Sequence, residues 1–297
     1  MELPGMRTRL AAISAVGAML FVAAGNRIGL AQGPARGVAP APASQLPFEP
    51  SKERGASVTG AFEGWYKNPD GTFTLLMGYQ NRNLEETVEI PIGPNNRIEP
   101  GGPDQGQPTV FEPRRGWGVF TVTVPKDFGN RRFTWTLVAN GGLTEIPLSL
   151  RPSYEISPFK DPQMGNTPPA LKFSIDGPTV TGPPRGIAAS YATTVDQPAT
   201  IELWAADKGN TEGVSARGLF TGIGVTITMH KFRGPGEVKF SNVRPPVGRD
   251  DGKVSTTASF SRRGDYIIRV QANDSSGEGG GGFQCCWTNA HVKVSVK

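Results

Sequence analysis

Apolar side chains fall on every second position through most of this chain. In Val119 to Val124, Phe120, Val122 and Val124 alternate with Val119, Thr121 and Thr123. In Phe133 to Val138, Phe133, Trp135 and Leu137 alternate with Thr134, Thr136 and Val138. A period of two places successive side chains on opposite faces, so each segment predicts a strand with one face buried. Trp65 and Tyr66 run into Asn68-Pro69-Asp70-Gly71 and then Phe73 to Tyr79, which predicts strand, tight turn, strand because Pro and Gly supply the turn dihedrals. Asn140-Gly141-Gly142 turns the chain into Leu143 to Leu150 as a second hairpin. No helical period interrupts this half.

The C-terminal half predicts seven short strands: Leu171 to Ile175, Ala199 to Ala206, Val225 to Lys231, Glu237 to Phe240, Val254 to Phe260, Tyr266 to Ala272 and His291 to Val296. Tyr266, Ile268 and Val270 alternate with Ile267, Arg269 and Gln271, and Val292, Val294 and Val296 with His291, Lys293 and Ser295, one face of each being core. The expected fold class is therefore all-β, with two consecutive immunoglobulin-like β-sandwich domains, at 58–150 and 170–297, separated by a Pro-rich linker at 151–169. Ile90 to Arg115, with six prolines, cannot join central strands directly and is expected as a surface loop.

The run His230 to Phe240, containing Gly234-Pro235-Gly236-Glu237-Val238-Lys239-Phe240, is followed by Thr256-Thr257-Ala258-Ser259-Phe260-Ser261 and by Gly264 to Asp274 with Tyr266, Arg269, Val270 and Ala272. These motifs resemble the extracellular PKD-type, immunoglobulin-like repeat over roughly the last 70 residues. The resemblance implies a sandwich in an extracellular setting and transfers no catalytic residue. The chain departs from that pattern after Asp274, where a Gly-rich insert carries two cysteines.

Ahead of the strands, Arg7 and Arg9 precede an apolar run from Leu10 to Ala24, with small residues at Gly25, Gly29 and Ala31. Fifteen residues span about 22 Å as a helix, short of a bilayer core of about 30 Å, so residues 1–31 read as a secretory signal peptide. Cleavage falls after Ala31, with Gly25 the competing site. Residues 32–57, rich in Pro, Ala and Gly, read as a disordered tether. Removal of 1–31 takes Arg7, Arg9, Arg27 and Glu2, leaving 28 basic and 25 acidic side chains. A surplus of three dispersed charges gives no nucleic-acid footprint, and no transmembrane span is expected after cleavage. With only two His and one adjacent Cys pair among 297 residues, multi-finger zinc folds and disulfide-dense miniproteins are excluded.

Two loops carry the candidate binding residues: Arg114, Arg115 and Trp117 at the end of the Ile90 to Trp117 excursion, and Phe283, Cys285, Cys286 and Trp287 in the Gly-rich insert. Adjacent cysteines in an exported chain are expected to oxidise to a strained clip, and the loop to be either a rigid ligand-facing platform or a structural element. Extended spacing puts Cys285 and Cys286 about 16 Å from His291, too far for one metal ion. No cofactor is expected, and Asp274 with Glu278 matches no dedicated calcium loop. His230 is expected as a solvated residue, and Trp204 as packing against the other domain. No nucleophile motif occurs, and a hydrolase would need carboxylates such as Glu63, Asp104, Glu112 and Asp127 to gather. The sequence thus points to a non-catalytic, secreted or periplasmic binding or structural protein of the cell envelope with a protein or carbohydrate partner. The alternative is a redox or metal-handling accessory protein centred on Cys285 and Cys286.

Overall fold

Sixteen strands, one 3-10 turn at Pro152–Tyr154 and no α-helix account for the regular structure of the described residues. The structure is a computed structural model, and it describes residues 49–163, 165–207, 224–249, 251–277 and 285–297. The proposed signal peptide, most of the tether and Phe283 lie outside the described residues. Within them no helix is long and apolar enough to cross a membrane.

The first sandwich uses β1 (Val58–Lys67), β2 (Phe73–Asn81) and β6 (Arg114–Val124) in one antiparallel sheet, and β4 (Asn96–Glu99), β7 (Arg132–Ala139) and β8 (Gly142–Ser149) in the other. A two-stranded ribbon of β3 (Val88–Glu89) and β5 (Val110–Phe111) lies beside them. The β7–β8 hairpin closes through Asn140 and Gly141, both at positive φ, as a two-residue turn with the twist of its strands requires. The Asn68–Gly71 turn forms as the sequence predicts, with Asn68 N–H donating to Thr72 O at 2.8 Å. Trp135 is wholly buried between the sheets, edge-on to Phe120 at 5.0 Å, and its Nε1–H donates to Asn96 Oδ1 at 3.1 Å. A large apolar ring whose one polar atom is satisfied contributes most of its area to the core at no desolvation cost.

The Ile90 to Arg115 excursion departs from expectation. Asn96, Ile98, Val110 and Phe111 are buried, β4 pairs with β7, and Asn96 Nδ2 donates to Ile90 O and Pro108 O. Two short strands fit between the prolines because an edge strand of four residues needs few ladder donors. Arg114, Arg115 and Trp117 consequently stand on β6, not in a loop.

The second sandwich stacks β10 (Ile187–Thr193), β16 (Trp287–Val296), β15 (Gly264–Asn273) and β12 (Thr226–Arg233) on β13 (Val238–Phe240), β14 (Lys253–Phe260), β11 (Ala199–Ala206) and β9 (Ala170–Lys172). All seven expected strands are present to within a few residues. The strand missed is β10, which runs parallel to β16 and carries no clean alternation. The glycine motif has a steric cause. A Cβ on Gly234, whose φ is +146°, would enter the Tyr266 ring, and Tyr266 Oη donates to Arg262 O at 2.8 Å to pin the strand's start. Tyr266, Ile268, Val270, Val292 and Val294 are fully buried in this core.

Candidate functional site

Arg269, Gln271, Asn289 and His291 belong to the polar faces of β15 and β16, yet each is less than 9 % exposed. Their sheet packs that face against the β1–β2–β6 sheet of the first sandwich, so both faces of β15 and β16 are buried. A buried polar group is tolerated when it is hydrogen-bonded, and these are. Asn289 Nδ2 donates to Trp117 O at 3.0 Å and Gly118 O at 2.9 Å, and His291 Nε2–H donates to Val119 O at 3.0 Å. Arg269 donates to Gln271 Oε1 and Asn289 Oδ1, both at 3.2 Å. Phe232 enters from β12, joins the first sandwich's core at 2 % exposure and stacks on the His291 ring at 4.3 Å.

Charged groups gather at this junction, one pair within the first sandwich and others across it. Glu63, on β1, receives Arg115 Nη2–H at 2.6 Å and the Gly118 N–H at 2.8 Å. Burial pushes its carboxyl up to about 7 against the opposing pull of Arg115. Glu112 is bonded to His230 Nδ1. Burial would raise its carboxyl, but the His230 hydrogen bond and the nearby His230 and Arg269 charges together outweigh that and hold it below the usual range. Burial, reinforced by the nearby Arg269 charge, pushes His230 down, and burial likewise drives His291 down to about 4. The imidazole of His230 bonds to Glu112 through Nδ1 and to Gln271 Oε1 through Nε2 at 3.2 Å. It is not the solvated residue the sequence suggests, because its side chain is only 13 % exposed. At the rim, Arg233 pairs with Asp104 at 2.8 Å and Lys231 with Glu89 at 2.5 Å.

Five of the seven candidate binding residues fall along one edge of this junction. Arg115 lies over the Trp117 ring at 4.2 Å, and Trp117 faces Trp287 with centroids 6.4 Å apart. Trp287 follows Cys285 and Cys286, which form a disulfide across a cis peptide; all three are about 2 % exposed. The Trp287 indole occupies the space a Cβ on Gly118 would need, and its Nε1–H has no hydrogen-bond partner. Arg114 is exposed, at φ 72°, and stands apart from the cluster. Phe283 lies outside the described residues. Phe232, Arg269 and Asn289 escaped the sequence reading; the Gly116-Trp117-Gly118 triplet was the available signal, since glycines flanking a strand tryptophan mark close backbone approach.

This arrangement holds two bodies together and sets up no nucleophile. Glu63, Asp104, Glu112 and Asp127 each engage a different basic partner, Asp127 pairing with Arg131 at 3.3 Å. Trp204 does not pack against the first sandwich. It lies half-exposed on the outer face of β11 with Phe173 and Tyr191, near Lys253.

The chain is an all-β sandwich protein. No family model and no curated protein matches it. Among solved structures it is similar to the D00-D0 domain of intimin at 10 % identity and TM-score 0.26, covering 81 % of this chain and 100 % of that one. It is also similar to domains 4 and 5 of the S-layer protein SbsC at 15 % identity and TM-score 0.22, covering 81 % and 98 %. The adhesin InvE of Yersinia pseudotuberculosis matches at 9 % identity and TM-score 0.24, covering 80 % of this chain and 58 % of its own. None of the three bears on this chain's role.

Proposed function

We propose that this chain is an exported, non-catalytic binding or structural protein of the cell envelope, built from an immunoglobulin-like domain at 58–150 and a PKD-type domain at 170–297. It presents surfaces from both to a protein or carbohydrate partner. The observation that carries this reading is the buried, hydrogen-bonded junction of Glu63, Arg115, Glu112, His230, Arg269 and Asn289. Such a junction makes two sandwiches one preformed body, and a preformed surface loses little freedom on association.

The test is saturable retention of the purified chain on isolated envelope fractions, cell-wall saccharide and surface protein assayed separately, together with N-terminal sequencing of exported material. Retention on one fraction, weakened when Phe232→Ala loosens the junction, is the expected result. Absence of retention on either fraction, or turnover of a substrate by the purified chain, would overturn the reading.

A further inference from the structure

An open cleft of about 560 Å3 lies beside the junction, between the β1–β2 turn, the outer face of β2 and β6, and Arg185–Gly186 just ahead of β10. Its size falls within the range of about 300–1,000 Å3 common for small-molecule sites. Its floor is a row of hydroxyls. Thr74 opposes Thr123 across the β2–β6 ladder, with Oγ1 atoms 3.5 Å apart, and Thr121 follows on the same face. Thr74 is 4 % exposed, and the Asn68 amide donates to both Thr72 and Thr74 at 2.8 Å, so these hydroxyls are oriented before anything binds.

One charge in the cleft has no counter-charge. The Arg185 guanidinium carbon lies over the Phe159 ring, 4.9 Å from its centroid, and among the described residues no carboxylate pairs with it. The one lining carboxylate, Asp70, takes the N–H and hydroxyl of Thr72 on a single oxygen and offers the other at the rim.

A fixed guanidinium, a hydroxyl floor and a rim acceptor suit one chemistry. A neutral sugar leaves Arg185 unused, and a simple anion leaves the hydroxyls unused. We propose that the cleft binds a uronic-acid-bearing saccharide, its carboxylate paired with Arg185 and its ring hydroxyls bonded to Thr72, Thr123 and Asp70. The open ends admit a chain running through. This rests on the display reading above and gives it a ligand class.

Calorimetric titration of the full chain compares an oligogalacturonate, a neutral oligosaccharide of equal length and an acidic peptide of equal charge. The oligogalacturonate binds best, by about tenfold or more, and Arg185→Gln removes that advantage while Arg185→Lys keeps part of it. No binding of the acidic saccharide, equal binding of the neutral one, tighter binding of the peptide, or indifference to Arg185→Gln would each overturn the proposal. Envelope retention that survives Arg185→Gln would overturn the cleft and leave the display reading standing.

Discussion

The Glu63 carboxylate on β1 and the Arg115 guanidinium on β6 meet at 2.6 Å across the strand between them, and they do so because residue 78 of that strand is glycine. A Cβ at Gly78 would run into Glu63 Oε1, the Gly116 carbonyl and Arg115 at once. Gly78→Ala should destabilise the chain by about 3 kcal/mol, because the obstruction includes backbone and the ion pair it breaks is buried. Gly71→Ala, which meets no atom, is the control and costs only its positive φ. Urea unfolding compares the two.

Glu63 and His291 pull stability in opposite directions over one pH range. Glu63 titrates near 7 in the fold and at an ordinary 4.5 in the unfolded chain, so the folded state takes the proton first and gains stability as pH falls from 7 to 4.5. His291 titrates near 4 instead of 6.5, so the unfolded state takes the proton first and stability is lost as pH falls from 6.5 toward 4. His230 is shifted the same way, and Glu112 adds a further loss as pH drops through the carboxylate range. The native chain should lose little stability down to about pH 5 and fall steeply below. Glu63→Gln should steepen the loss between 6.5 and 4.5 by up to about 1.4 kcal/mol per pH unit, and His291→Gln should flatten it. Denaturant melts at pH 7, 6 and 5 read these slopes; identical slopes in all three proteins would contradict the assignment.

Two buried tryptophans should respond differently to the same change. Trp135→Phe leaves the Asn96 oxygen without its donor in the core and should cost about 2–3 kcal/mol. Trp287→Phe deletes an N–H that has no partner, which offsets part of the lost volume, and should cost about 1 kcal/mol. Equal costs would show that the indole nitrogen of Trp287 is satisfied in solution.

Cys285 and Cys286 close the shortest possible loop, so their bond restricts the unfolded chain little. Replacing both by alanine should lower stability by less than about 2 kcal/mol, mostly from lost burial, with both sandwiches still folded by circular dichroism. In denaturant, thiol titration should find no free thiol before reduction and two after it. Global unfolding of the double variant at ambient temperature would refute this.

Period-two alternation identified the longer core strands because one core face per strand is enough to write that pattern, and it passed over the short β3, β4 and β5. It misassigned the opposite face of β15 and β16. Arg269, Gln271, Asn289 and His291 are polar, as a solvent face would be, but their hydrogen bonds run to a second sandwich, and a linear pattern does not distinguish water from a polar protein surface. Arg115 and Trp117 stood out on one loop of the sequence and Trp287 on another. Their convergence comes from strands over a hundred and sixty residues apart in sequence, which no local spacing encodes. Strand β10 was missed because it sits at a sheet edge with neither face well buried.

The parallel pairing of β10 with β16 also sets how the second sandwich responds to tension. Drawing Ile187 away from Val296 slides these strands along each other, so the bonds from Ala189–Val292 to Thr193–Val296 share the load together instead of parting one by one. A pairing of this kind holds until the whole patch lets go.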